Sequence, residues 1–183
     1  MQMNAIGLIE LYSIAAGIDL TDTMLDTADV ELVLSRTICS GKYLVVVGGN
    51  VAAVEAATNA GIDRAQGLVI DSLVVPNIDV QIFPAIAGAN DVEELGALGV
   101  LESFSVGSLI EGADAAVKAA DVKLLEVRLA MALGGKAYCT ITGDVSSVNE
   151  AVEVGASKIA DKGLLVNKVV IASPNKQLYR DYI

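Results

Sequence analysis

The chain has 183 residues, 54% of them hydrophobic and only 19% charged, with a mean hydropathy of +0.58, so it can fill a core and still have apolar surface to hide, as at a subunit interface. Its 23 acidic against 12 scattered basic residues give a net charge of −11, and with 4% aromatics this excludes nucleic acid as a partner held by phosphate neutralisation or base stacking. The absence of histidine removes the Ser–His and Cys–His nucleophilic systems and the commonest zinc ligand.

Taken in chain order, Ala5 to Leu11 is a short apolar run suited to a buried strand. Ser13 to Thr27 follows with Ile14, Ile18, Met24, Leu25 and then Ala28 near helical spacing, and Ser13 stands where an N-cap is needed. Val30 to Ile38 reads as a strand, Cys39–Ser40–Gly41 as a turn, and Lys42 to Val47 as the returning strand. Asn50 caps a second helix from Val51 to about Ala65, and Leu68 to Val75 is a fourth strand stopped by Pro76. No apolar run reaches the roughly 18 residues of a membrane span; the richest, Leu44 to Val54, is cut by Gly48, Gly49 and Asn50. Glu10 lies inside the first apolar segment and no basic region precedes it, so no signal peptide is expected and the chain reads as cytosolic, without a membrane partner.

The same order then begins again. Ala5 to Arg36 overlays Ala97 to Arg128 without a gap. Ala5, Gly7, Glu10, Ser13, Ile18, Asp22, Ala28, Asp29, Val30, Leu32 and Arg36 meet Ala97, Gly99, Glu102, Ser105, Ile110, Asp114, Ala120, Asp121, Val122, Leu124 and Arg128. Tyr12 meets Phe104. After a short insertion Gly41–Lys42 matches Gly135–Lys136, Gly49–Asn50–Val51 matches Gly143–Asp144–Val145, and Pro76–Asn77 matches Pro174–Asn175, with the second copy's later helix near Val145 to Ala160. Each copy has the order β-α-β-β-α-β, the split βαβ of ferredoxin-like folds. The chain is therefore read as α/β, more narrowly α+β, with a first domain over residues 1–90 and a second over 91–183. The break between them is the polar, turn-prone stretch Ala87 to Gly96.

Several of these segments resemble a known family. Ala5–Ile6–Gly7–Leu8–Ile9–Glu10 and Ala97–Leu98–Gly99–Val100–Leu101–Glu102 resemble the opening strand of bacterial microcompartment (BMC) shell domains. Lys118–Ala119–Ala120–Asp121–Val122 resembles their edge motif, and Gly135–Lys136–Ala137–Tyr138 with Gly143–Asp144–Val145 resembles their next strand and helix cap. The resemblance covers nearly the whole chain twice, which points to the tandem-domain shell proteins. It implies the unpermuted order of the fold and a homotrimer imitating a hexagon, partnered by other, hexameric, shell proteins at the wall of a cytoplasmic microcompartment. Thr37–Ile38–Cys39–Ser40–Gly41–Lys42 and Leu73–Val74–Val75–Pro76–Asn77–Ile78 are similar to the propanediol-utilisation shell proteins of the T type. That likeness implies a [4Fe-4S] cluster shared by three subunits on the threefold axis through Cys39 of each, serving electron transfer or cluster transport across the shell, with an encapsulated or cytosolic redox enzyme as a further partner. It also makes Ser40 and Gly41 pore-lining and Lys118 a tile-edge residue. The chain departs from the pattern at Ser40, where the loop usually has proline, at Asp26, which stands opposite Lys118, and at Asn77 and Asn175, where a basic residue is often found.

The residues also admit plainer roles. Cys39 can be a free thiol packed as a small hydrophobe, and Ser40–Gly41 an ordinary tight turn. Lys42 can face the axis or solvent. Met131 and Ala132, opposite Cys39 and Ser40, carry no comparable chemistry, and Gly134–Gly135–Lys136 lacks the flanks of a P-loop. Cys139 sits in a strand pattern opposite Val45 and reads as a buried core thiol. Glu10 and Glu102, equivalent acids inside apolar strands, read as a shared structural hydrogen-bonding pair and not as catalytic carboxylates. With no nucleophile–base set, the chain is expected not to be an enzyme. The alternatives to a cluster-bearing tile are a shell protein with an open metabolite-conducting pore and a small-molecule-binding regulatory module.

Overall fold

Each repeat closes its apolar strands into one four-stranded antiparallel sheet with two long helices packed on it. The computed structural model describes residues 3–88, 95–130 and 133–181. In the first unit the elements are β1 (Ala5–Leu11), α1 (Ile14–Thr27), β2 (Glu31–Ile38), β3 (Lys42–Gly49), α2 (Val51–Ala65) and β4 (Val69–Pro76). A short helix α3 (Ile82–Ala87) precedes the second set: β5 (Ala97–Ser103), α4 (Val106–Ala119), β6 (Val122–Leu129), β7 (Ala137–Gly143), α5 (Val145–Ala160) and β8 (Leu165–Ile171). The sheets run β2-β3-β1-β4 and β6-β7-β5-β8, the ferredoxin-like order expected of a split βαβ, twice. The compact units divide between Val80 and Gln81, so α3 belongs with the second.

The duplication extends to the irregularities. The β1–β4 pairing slips between Glu10 and Leu11, and the β5–β8 pairing slips between Glu102 and Ser103. The β2–β3 pairing slips between Leu32 and Leu34, and β6–β7 between Leu124 and Glu126. Bulges re-aim side chains and are built into a fold, so their recurrence ties the copies together beyond residue identity.

Capping explains where the helices begin. Ser13 Oγ accepts from Ala16 N at 3.2 Å and Ser105 Oγ from Ser108 N at 3.3 Å, each satisfying an amide that the helix itself leaves open. Asn50 Oδ1 accepts from Ala53 N at 2.9 Å, and Asp144 does the same work on α5 with more bonds, taking the amides and hydroxyls of Ser146 and Ser147. Those bonds, the Ser146 hydroxyl foremost, hold the Asp144 carboxyl well below the usual carboxylate range.

The first core gathers Ile9, Leu11, Leu20, Met24, Tyr43, Val45, Val47, Ala57 and Ala65. Inside it Gly17 makes room for a ring: a Cβ there would stand 2.3 Å from Cδ1 of Tyr43. The counterparts in the second repeat are Leu109 and Ala137, both fully buried. Bulk has moved from strand to helix, and the volume is kept. The Tyr43 hydroxyl is satisfied by Ser35 Oγ at 2.9 Å, which in turn lies 3.2 Å from Thr21 Oγ1.

The helix α1 lies where the spacing places it, but of the apolar residues that mark it only Met24 is buried, with Gly17, Leu20 and Thr21, while Ile14, Ile18 and Leu25 are exposed. Periodicity finds an apolar face but does not say whether the chain's own sheet covers it, and here α1 carries two. The helix α3 has no counterpart in the sequence reading. Its signal was Ile82, Phe83 and Ile86 at helical spacing, with Pro84 in the first turn where its missing N–H costs nothing.

Two outcomes follow. Gly17→Leu alone should overpack the first core and lower stability by about 1–3 kcal/mol, and adding Tyr43→Ala should recover most of the loss, read from urea midpoints of the three variants. Because the Asp144 carboxyl is depressed in the folded chain, its contribution is present above the ordinary carboxylate pKa of about 4 and is lost as pH falls through and below it. Asp144→Asn should therefore flatten the fall in stability between neutral pH and about pH 3, whereas Asn50, which does not titrate, contributes no such fall.

Candidate functional site: the loop between β2 and β3

The loop begins from a buried anchor. Ile38 ends β2 buried, and the next three residues, Cys39 to Gly41, make a single 3-10 turn before β3 starts at Lys42. Behind the turn, Lys42 Nζ reaches across the β1–β3 pair to Glu10 Oε1 at 2.8 Å. Glu10 is buried, and a carboxylate in that position needs a charged, hydrogen-bonding partner to be tolerated. The second repeat has the same pair, Lys136 Nζ to Glu102 Oε1 at 2.5 Å. The equivalent acids do serve a shared structural hydrogen bond, and Lys42 turns back to Glu10.

Cys39 is half-buried and takes part in no disulfide, while Ser40 and Gly41 are exposed. Ser40 has φ 65° and ψ 28°, and Gly41 has φ 73°. The left-handed region is natural for glycine but costs an L-residue about 1–2 kcal/mol. Proline, with φ held near about −65°, cannot enter it. The serine in place of proline is therefore a condition of this loop's shape. A Cβ on Gly41 would meet nothing within 4 Å, so the turn stands clear of its own unit. In the second repeat the corresponding loop also uses left-handed backbone, at Ala130, Gly134 and Gly135. Met131 and Ala132, the counterparts of Cys39 and Ser40, lie outside the described residues.

The other thiol is unsuited to binding. Cys139 is fully buried in β7 and burial pushes its thiol up to about 12, so it stays protonated at neutral pH. This is the core thiol that the strand pattern indicates. Among the described residues no group of three or more Cys, Asp or Glu converges to hold a metal ion. The donor chemistry of the loop is one accessible thiol per chain, which fits a metal group only where several chains meet.

Lys118 belongs to the second unit, in the last turn of α4. Its Nζ pairs with Asp114 Oδ2 at 2.6 Å, one turn earlier, with the acid on the N-terminal side as the helix dipole favours. In the first unit the matching residues are Asp22 and Asp26, two acids with like charge at the same spacing.

Comparison with known proteins agrees with this architecture. The BMC domain matches the chain twice, over residues 5–78 and 97–174. The chain is 45% identical over 98% of its length to the bacterial microcompartment shell protein PduT of Citrobacter freundii, of which it covers 97%. It is 41% identical to the shell protein PduA of the same organism, over 37% of this chain and 73% of that one. The crystal structure of a microcompartment protein from Desulfitobacterium hafniense superposes with a TM-score of 0.95 at 44% identity, covering 98% of this chain and 99% of the other. With the domain found in both repeats and a full-length relative at this level of identity, the chain is a tandem-domain member of the BMC-domain family.

Proposed function

We propose that the protein is a structural tile of a bacterial microcompartment shell, in the cytoplasm, closed as a ring of three chains in which six domains imitate a hexagon. In this reading the β2–β3 loops meet at the ring centre, Cys39 of each chain holds one [4Fe-4S] cluster there, Ser40 and Gly41 line the opening, and Lys118 serves the tile edge against hexameric shell proteins. The observation that carries it is the contrast of the two thiols: Cys39 is accessible on a turn clear of its own unit, Cys139 is sealed in the core. The near full-length likeness to a protein named as the PduT shell protein supports the shell role.

The residues of the loop supply particular things. Cys39 supplies one thiolate per chain, and threefold symmetry multiplies it to three. A cubane cluster, when bound, supplies a one-electron couple and an iron not held by cysteine. Ser40 and Gly41 fix the turn in left-handed backbone, with open space beside Gly41. The Glu10–Lys42 pair pins the base of the loop, so its tip departs from a fixed point. Such a port suits exchange with a redox enzyme on either side of the wall.

Purified without oxygen, the protein should be brown, with charge-transfer absorption and iron that are both lost in Cys39→Ser and unaffected in Cys139→Ser. A colourless protein that takes up no iron on reconstitution removes the cluster from this reading and leaves a tile with an open conduit. Ser40→Gly should keep the turn and leave stability within about 1 kcal/mol of the parent. Ser40→Pro, forced out of φ 65°, should reshape the loop and lower iron retained per chain.

A further inference from the structure

The two units treat one equivalent face differently. In the second, Val106, Ile110 and Val117 of α4 and Leu124 of β6 are each no more than 8% exposed. Their counterparts in the first, Ile14, Ile18 and Leu25 of α1 and Leu32 of β2, are 37% to 59% exposed. The helix α3 packs on β6 and α4 in the second unit, burying Ile82, Phe83 and Ile86. Just ahead of it Gln81 finishes the edge strand: its Oε1 accepts from Leu124 N at 3.0 Å and its Nε2 donates to Val122 O at 3.5 Å. An edge strand covered in this way no longer offers its amides to other chains.

That cover is the segment that follows Pro76–Asn77, the end of the first repeat. The matching segment of the second repeat follows Pro174–Asn175 and contains Lys176, Leu178, Tyr179, Arg180, Asp181, Tyr182 and Ile183. Within it Leu178 is 47% exposed, an apolar side chain left uncovered. Charge separates the two covers. The exposed face of the first unit is rimmed by Asp22, Asp26 and Glu31, all exposed, where the second unit has Asp114, Lys118 and Lys123. The segment 76–88 holds one acid, Asp79, and no base, whereas 174–183 brings two bases, Lys176 and Arg180, against one acid, Asp181. Each face is matched in charge by the segment that the repeat order assigns to it.

We infer that residues 174–183 of one copy dock on the α1–β2 face of the first unit of a second copy, as the α3 segment docks on α4 and β6. The contact is head-to-tail: the patch on one chain differs from the patch it meets, so the chain order continues from copy to copy until a ring closes. It rests on the ring reading above for the closure at three, and it adds which surfaces carry that closure.

The test uses the full chain carrying Cys39→Ser, Ile18→Cys and Leu178→Cys, treated with a short bis-maleimide. Covalent dimers and trimers on a denaturing gel are expected, and sedimentation of the untreated protein should give three chains. Asp22→Lys with Asp26→Lys should cut the yield of covalent multimers at least tenfold, and further change of Lys176→Glu and Arg180→Glu should restore it; Asp22, Asp26 and Lys176 are exposed, so folding is spared at those positions. A trimer by sedimentation that yields only monomer bands overturns the docking and leaves the ring standing. So does a multimer yield unmoved by the charge exchange. A protein that sediments as a single chain overturns the ring, and the docking with it.

Discussion

An acid on a buried strand is the constraint from which the loop region is built. Glu10 is buried in a strand that is otherwise apolar, Glu102 half-buried at the matching position, and removing such a charge from water is costly unless it is paired and hydrogen-bonded. The lysine at the start of the adjacent strand in the first repeat, and the one just ahead of it in the second, meet that need. Because each lysine stands where the connecting loop meets the strand, the pair fixes where the loop must emerge. The loop tip can then vary between repeats without disturbing the sheet, and only one of the two carries a cysteine.

Duplication relaxes sequence while holding shape. The first core places a tyrosine on β3 against a glycine on α1, where the second has alanine and leucine. One cap is Asn50 and the other Asp144, alike in the bond they accept and different in whether they titrate. The recurring bulges mark what could not drift: the bend of each sheet is common to both units although many side chains on it are not.

Much of this was legible from residues alone. The β-α-β-β-α-β order followed from short apolar runs, caps at Ser13 and Asn50, and breaks at Gly41 and Pro76, all set by local chemistry. The pairing of Glu10 with Lys42 could have been read from their joint recurrence as Glu102 and Lys136. The exposed stripe of α1 could not, because helical spacing records apolarity and not what lies against it. The helix α3 was missed since six residues give less than two turns of period, and because a proline within them reads as a stop. The handedness of Ser40 was equally out of reach: a serine places no demand on φ until the strands on either side close the turn.

The burial of Cys139 has a practical side. A thiol that keeps its proton up to about pH 12 is inert towards maleimides and iodoacetamide at neutral pH. A chain of 183 residues with two cysteines therefore behaves, while folded, as though it had one handle. A dye, spin label or gold particle attached through sulfur will report from the β2–β3 turn alone, with no need to engineer the second cysteine away.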